Sequence, residues 1–107
     1  MRECQIEVSN LGARVFRNNV GLLTLADGRK IRVGLCVGSS DLIGWKPITI
    51  TPDMIGKQVA VFLAIEVKGQ RGRVSREQAA FVEKIKNDGG LALIARSVDD
   101  VRTYLKD

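Results

Sequence analysis

No histidine occurs anywhere in the 107 residues, and that absence removes a large part of enzyme chemistry. Serine or cysteine nucleophiles activated by an imidazole cannot be assembled. Zinc sites draw on several Cys and His side chains together, and only Cys4 and Cys36 are present, in neither a CxxC nor a disulfide-dense pattern. Two isolated thiols suit a reducing, cytoplasmic setting. No apolar run reaches the length of a membrane span, and no basic-then-apolar leader is visible, so neither an anchor nor export is expected. "GLCVG" lacks the glycine spacing and the Gly-Lys-Ser/Thr ending of a phosphate-cradling loop. Whatever chemistry remains must use carboxylates, lysine, arginine, amides or a bound metal.

The length fits one small domain spanning residues 1–107, able to bury roughly two thirds of its unfolded surface without staples. Lys and Arg exceed Asp and Glu by 17 to 12, a net charge of +5. A mild excess serves solubility alone. Its clustering is more telling: Arg14 and Arg17, then Arg29, Lys30 and Arg32, then Lys68, Arg71, Arg73 and Arg76. Such clusters suit a polyanion, nucleic acid foremost.

Periodicity predicts an α/β chain. Residues 2–11 read equally as a short helix closed by Gly12 or as a strand. Val15–Arg17 and Leu22–Leu25 look extended, and "LADGRKIRVGL" carries a two-residue Asp27-Gly28 hairpin turn. A Gly/Ser loop leads into a short apolar strand at "DLIGW", and residues 46–51 alternate like another strand. Val59–Lys68 reads as a central strand buried on both faces. Ser75 opens a helix with an S-x-x-Q capping box, ending near Asp88 before Gly89-Gly90. "LALIAR" is a second buried strand, making a βαβ unit and a parallel pair in a mixed sheet. Ser97 with Asp100 caps a last helix to Lys106.

The central strand ends in an acid and a base: Glu66 and Lys68, two apart and so on one face. An isolated E-x-K is ordinarily a solvated pair worth under about 1 kcal/mol. Three features argue otherwise here. The strand is the most apolar in the chain, so its end belongs at a sheet centre, where an unpaired charge costs several kcal/mol. Asp41 stands at the mouth of another short strand. Gln78 begins the stripe Gln78, Val82, Ile85, which aims the helix's polar first turn inward. Asp41, Glu66 and the Val67 carbonyl are hard oxygen donors, suited to Mg2+ or Mn2+. Lys68 beside them would hold a water for attack on a phosphodiester, with the Arg-rich loop nearby to meet the phosphate.

Asp41 followed by Glu66-Val67-Lys68 resembles the D…ExK signature of the PD-(D/E)xK nucleases. "VFRNNVG", "GLCVGSSDLIGW", "FLAIEVKG" and "EQAAFVEKIKNDGG" are similar, in order, to blocks of one branch, the virus-type replication-repair nuclease (VRR-NUC) domain. The resemblance implies a restriction-endonuclease-like core, a central mixed sheet flanked by helices, and divalent-metal-dependent DNA cleavage. It implies Asp41 and Glu66 as metal ligands, Lys68 as the water-orienting base and Gln78 as a supporting amide. It adds a glutamate on the first helix, for which Glu3 fits best and Glu7 is the rival. Stand-alone members act as homodimers on branched DNA, with Holliday junctions among the candidate substrates.

Several residues carry two readings. Gln78 can cap its helix, serve the site, or both. Asn18 and Asn19 suit a turn; with Arg17, the resemblance gives them a DNA- or site-supporting role beside Arg71, Arg73 and Arg76. Ser39 and Ser40 shape the Asp41 loop, since no base exists to activate them. Trp45 can stack on a base or pack internally, and with Ile48 and Ile50 offers an apolar patch for a two-fold partner. The competing function is a non-catalytic DNA-binding module or a subunit of a repair assembly. A degenerate nuclease would be expected to lose one of Asp41, Glu66 and Lys68, and all three stand.

Overall fold

A computed structural model describes residues 1–106 in two compact units, residues 1–48 and 49–106. In the first, α1 (Arg2–Asn10) settles the ambiguity of the N-terminal stretch in favour of a helix. Its closing amides, Leu11 and Gly12, donate to Glu7 O and Ser9 O at 3.1 Å. None of its residues is buried. β1 (Arg14–Arg17) then pairs antiparallel with β4 (Leu42–Trp45), in the register Arg14↔Trp45 to Arg17↔Leu42. Between them β2 (Gly21–Thr24) and β3 (Lys30–Val33) form a hairpin.

That hairpin turns where "ADG" foretells it, but through a longer loop than two residues. Leu25 N–H donates to Arg29 O at 2.7 Å and Gly28 N–H to Leu25 O at 2.9 Å. The Asp27 carboxylate accepts from Arg29 N at 3.0 Å and from Arg29 Nε at 2.6 Å. A short acid that captures the amide two residues on stabilises the wider turn.

Two further strand expectations are corrected. Residues 46–51 form no strand: Pro47 supplies no N–H, and the β1–β4 ladder ends at the Arg14↔Trp45 pair. The central strand is also shorter than Val59–Lys68. β5 covers Leu63–Val67 and pairs parallel with β6 (Leu91–Ala95), from Leu63↔Leu91 to Val67↔Ala95. Its partner sets its length, since β6 cannot begin until the chain has cleared the Gly89-Gly90 break. The first bond across is Leu91 N–H to Phe62 O at 2.9 Å.

α2 (Arg76–Asn87) makes the crossover between these strands. Gly89, at φ +93°, turns the chain out of the helix. Gly90 then passes so close to the helix that a Cβ there would lie 2.7 Å from Ile85 Cγ2. The buried core consists of Val82 and Ile85 from α2 with Ala92 and Ala95 from β6. α2 and α3 (Val98–Leu105) both pack on β6, where alanine lets a helix approach closely. Tyr104 Oη of α3 accepts from the Ala92 N–H at 3.0 Å. Ser97 Oγ caps α3 by accepting from Asp100 N.

The fold is therefore α/β, with one βαβ unit and three two-stranded ladders among the described residues. β5 is not buried on both faces. Ala64, Glu66 and Lys68 are half-covered, while Leu63, Ile65 and Val67 on the opposite face are exposed.

Candidate active site

The half-covered face of β5 carries the acid and the base. Lys68 Nζ lies 3.6 Å from Glu66 Oε2, with side-chain exposures of 20% and 33%. That distance makes an ion pair without a closed hydrogen bond, so the ammonium keeps donors free for a water or an anion. The Lys68 main chain is fixed, because its N–H donates to Ala95 O at 2.9 Å and extends the parallel ladder by one bond.

A cleft of about 380 Å³ opens beside this pair, lined by Ala64, Ile65 and Glu66 from β5 and by Glu77, Gln78, Phe81 and Val82 from α2. Gln78 both caps α2 and lines this cleft. Ser75 N–H donates to Gln78 Oε1 and Gln78 N–H donates to Ser75 Oγ, both at 3.0 Å, completing the capping box. Because an N–H must be met by oxygen, this cap decides which way the amide faces. Oε1 is committed to the helix end; the NH2 group remains to serve the cleft. Glu77 and Phe81, which fall inside the block "EQAAFVEKIKNDGG", also line it.

Past Lys68 the chain enters the basic loop. Arg71, Arg73 and Arg76 are exposed, and none forms an ion pair among the described residues. Arg76 sits at the first position of α2, where the helix dipole disfavours a cation. An incoming phosphate would relieve that cost.

Asp41 belongs to the other unit and is exposed at the start of β4. The loop before it is built round Asn18. Asn18 Nδ2 donates to Ser39 Oγ at 2.7 Å and to Ser40 O at 2.9 Å, and its Oδ1 accepts from Leu35 N at 2.9 Å. Its main-chain N–H donates to Asp41 O at 2.8 Å. Ser39 Oγ in turn donates to Cys36 O at 2.7 Å. Asn18 is thus no left-handed turn residue, since no non-glycine residue among those described has positive φ. It clamps the Asp41 loop, and Ser39 shapes that loop as its small polar side chain suggests. Only an amide offers the donors and the acceptor this needs.

Arg17 and Asn19 are exposed beside it, as are Glu3 and Glu7 on α1. Trp45 packs on Phe16, ring centroids 5.6 Å apart, while Ile48 and Ile50 are exposed. Glu66, Lys68 and Gln78 therefore meet within one unit, whereas Asp41 and Glu3 lie in the other. Within neither unit do the described residues gather three or more Asp, Glu, His or Cys side chains round a common point. The donors present are carboxylate and carbonyl oxygens, the chemistry that Mg2+ or Mn2+ prefers.

A family model, the VRR-NUC domain, matches residues 9–99. The chain belongs to the VRR-NUC family. The match spans Asp41, Glu66, Lys68 and Gln78 together and makes the chain a nuclease domain, with DNA as its substrate class. Neither the curated proteins nor the solved structures contain a match to the chain. No helix among the described residues is long and apolar enough to cross a membrane.

Proposed function

We propose that this VRR-NUC domain is a divalent-metal-dependent endonuclease selective for branched DNA, Holliday junctions among its candidate substrates. The observation that carries this reading is the Glu66–Lys68 ion pair, with Glu66 and Gln78 lining one cleft. Residues 1–107 act in it as one nuclease domain with a restriction-endonuclease-like central mixed sheet.

Asp41, Glu66 and the Val67 carbonyl would hold Mg2+ or Mn2+, with Glu3 or Glu7 as a further donor. When bound, the cation supplies charge against a phosphate oxygen and makes a coordinated water more acidic. Lys68 Nζ holds the attacking water through its N–H groups. Gln78 Nε2 donates to the phosphate or to that water while Oε1 stays on Ser75. Arg71, Arg73 and Arg76, with Arg17 in the other unit, meet backbone phosphates. Asn18 acts through the Asp41 loop, and Asn19 beside it faces DNA. A homodimer with two-fold symmetry would pair two such sites for paired cuts, through a patch including Trp45, Ile48 and Ile50. A cytoplasmic location accompanies this reading.

The test incubates purified protein with four-way, flap, splayed and linear duplex DNA, with Mg2+, Mn2+ or EDTA. Cleavage of branched forms that EDTA abolishes is the expected result. Tight DNA binding without cleavage under either metal would leave the non-catalytic binding module instead.

A further inference from the structure

The loop beyond Lys68 would be loose if left to itself. It contains Gly69 and Gly72 and buries no side chain, and its own internal bond is Gly72 N–H to Gly69 O at 3.1 Å. Arg96, the first residue past β6, reaches across to it. Arg96 Nη1 donates to Gly69 O at 2.7 Å and to Gln70 O at 3.4 Å. Gln70 Nε2 returns a weak bond to Arg96 O at 3.5 Å. The 2.7 Å contact is the strong one, a charged donor on a carbonyl.

The other end of Arg96 is fixed as well. Its main-chain N–H donates to Asp100 Oδ2 at 2.8 Å, and Asp100 N–H donates to Ser97 Oγ at 3.1 Å. Both partners belong to the capped start of α3, which packs on β6. The guanidinium therefore ties the two-glycine loop to a helix end.

We propose that Arg96 is a positioning residue for the Glu66–Lys68 site, a role that rests on the nuclease reading above. It differs from Arg71, Arg73 and Arg76, whose guanidinium groups make no hydrogen bond or ion pair among the described residues, whereas that of Arg96 bonds Gly69 O and Gln70 O. Arg96 spends Nη1 on main-chain oxygens. Two consequences follow for a polyanionic substrate. The carbonyls of Gly69 and Gln70, whose partial negative charge would repel a phosphate, are covered by a cation. The main chain leaving Lys68 keeps one course, so that Lys68 and Arg71 present their charges at a constant spacing. A lysine at this position would keep the charge but replace the planar guanidinium with a compact ammonium.

Two measurements test this on the full chain. Trypsin cutting at Arg71 and Arg73 reads loop order, with the cut at Arg29 on the β2–β3 hairpin as an internal control. In Arg96→Ala, cutting at Arg71 and Arg73 is expected to speed up about tenfold while Arg29 is unchanged. Single-turnover cleavage of a four-way junction with Mg2+ should slow by about tenfold, with DNA affinity altered by less than about threefold. Millimolar methylguanidinium should restore part of that rate, which no general loss of stability would allow. Should Arg96→Ala melt too low to assay, Arg96→Lys carries the comparison with an expected loss of about threefold. Failure of the two readings is separable. DNA left uncut by the wild-type protein sinks the nuclease assignment. Normal wild-type cleavage, with loop order or cleavage rate indifferent to Arg96→Ala, sinks this one.

Discussion

Ser75 and Gln78 hold each other, each main-chain N–H donating to the other's side-chain oxygen at 3.0 Å. A residue that both caps a helix and lines the cleft can be split by substitution. Gln78→Glu keeps an oxygen for the cap and removes the NH2 group. Its melting temperature should match that of the wild type, while DNA cleavage falls at least about tenfold. Gln78→Ala should lose about 1 kcal/mol of stability as well. Thermal melts beside cleavage assays check both, and full activity in Gln78→Glu would reduce Gln78 to a cap.

Catalysis should separate from binding at the charged pair. Glu66→Gln and Asp41→Asn keep the side-chain shape and weaken cation ligation, so cleavage should fall by about a hundredfold or more with DNA affinity retained. Lys68→Ala should fall by a similar factor while leaving every oxygen donor in place. Junction cleavage measured beside fluorescence anisotropy decides the matter. Near wild-type cutting by Glu66→Gln would remove the site from β5.

Asn18 should behave as a support rather than a DNA contact. Asn18→Asp still accepts from Leu35 N but cannot donate to Ser39 Oγ or Ser40 O. It should cost about 1–3 kcal/mol in a denaturant titration, the range for unmade bonds at a partly buried polar group. Cleavage should fall with it, because the Asp41 loop is released. A slope of affinity against salt equal to that of the wild type would fit this role, whereas a shallower slope would make Asn18 a phosphate contact after all.

Arg71 and Arg73 should set that slope. Each phosphate contact contributes about 0.9 to the slope of log affinity on log salt for duplex DNA. The double alanine variant should therefore bind all DNA forms more weakly, with a slope smaller by about 1.8. Titration across a range of salt concentrations measures it, and an unaltered slope would place the basic loop away from the backbone.

Stability should concentrate where α2 meets β6. Ile85 is 1% exposed, and Ile85→Ala should cost about 2–4 kcal/mol. Gly90→Ala forces a methyl group to within 2.7 Å of Ile85 Cγ2 and should cost about 1–3 kcal/mol by overpacking. Chemical denaturation of both variants is the check; a Gly90→Ala protein as stable as the wild type would mean that the helix end shifts freely.

The βαβ unit was legible because its signals are local. Ser75 and Gln78 announce the cap, Gly89-Gly90 the stop, and apolar runs the two strands. The E-x-K spacing likewise put Glu66 and Lys68 on one face. Extended stretches misled where pairing decides the outcome. Alternation at Ile48 and Ile50 describes a strand only if another strand lies alongside, and Pro47 works against one. Val59 to Val61 look like part of a core strand yet stand outside the β5–β6 ladder, whose register starts at Leu63↔Leu91. The Asn18 clamp and the Arg96 tie were invisible for a related reason. Each joins residues far apart in the chain through side-chain donors, and neither leaves a periodic mark.

The parallel pairing of β5 with β6 also bears on when the charged pair comes into being. During synthesis Glu66 and Lys68 emerge well before Leu91–Ala95, with all of α2 still to follow. Until that later strand arrives, the Lys68 N–H has no Ala95 carbonyl to bond, and Glu66 and Lys68 stand on an unpaired edge. Non-local parallel contacts of this kind are slow to form, since a long loop must close first. Whatever chemistry the pair performs is consequently withheld from the nascent chain, and a polypeptide released short of Ala95 would carry the acid and the base without the scaffold that sets them side by side.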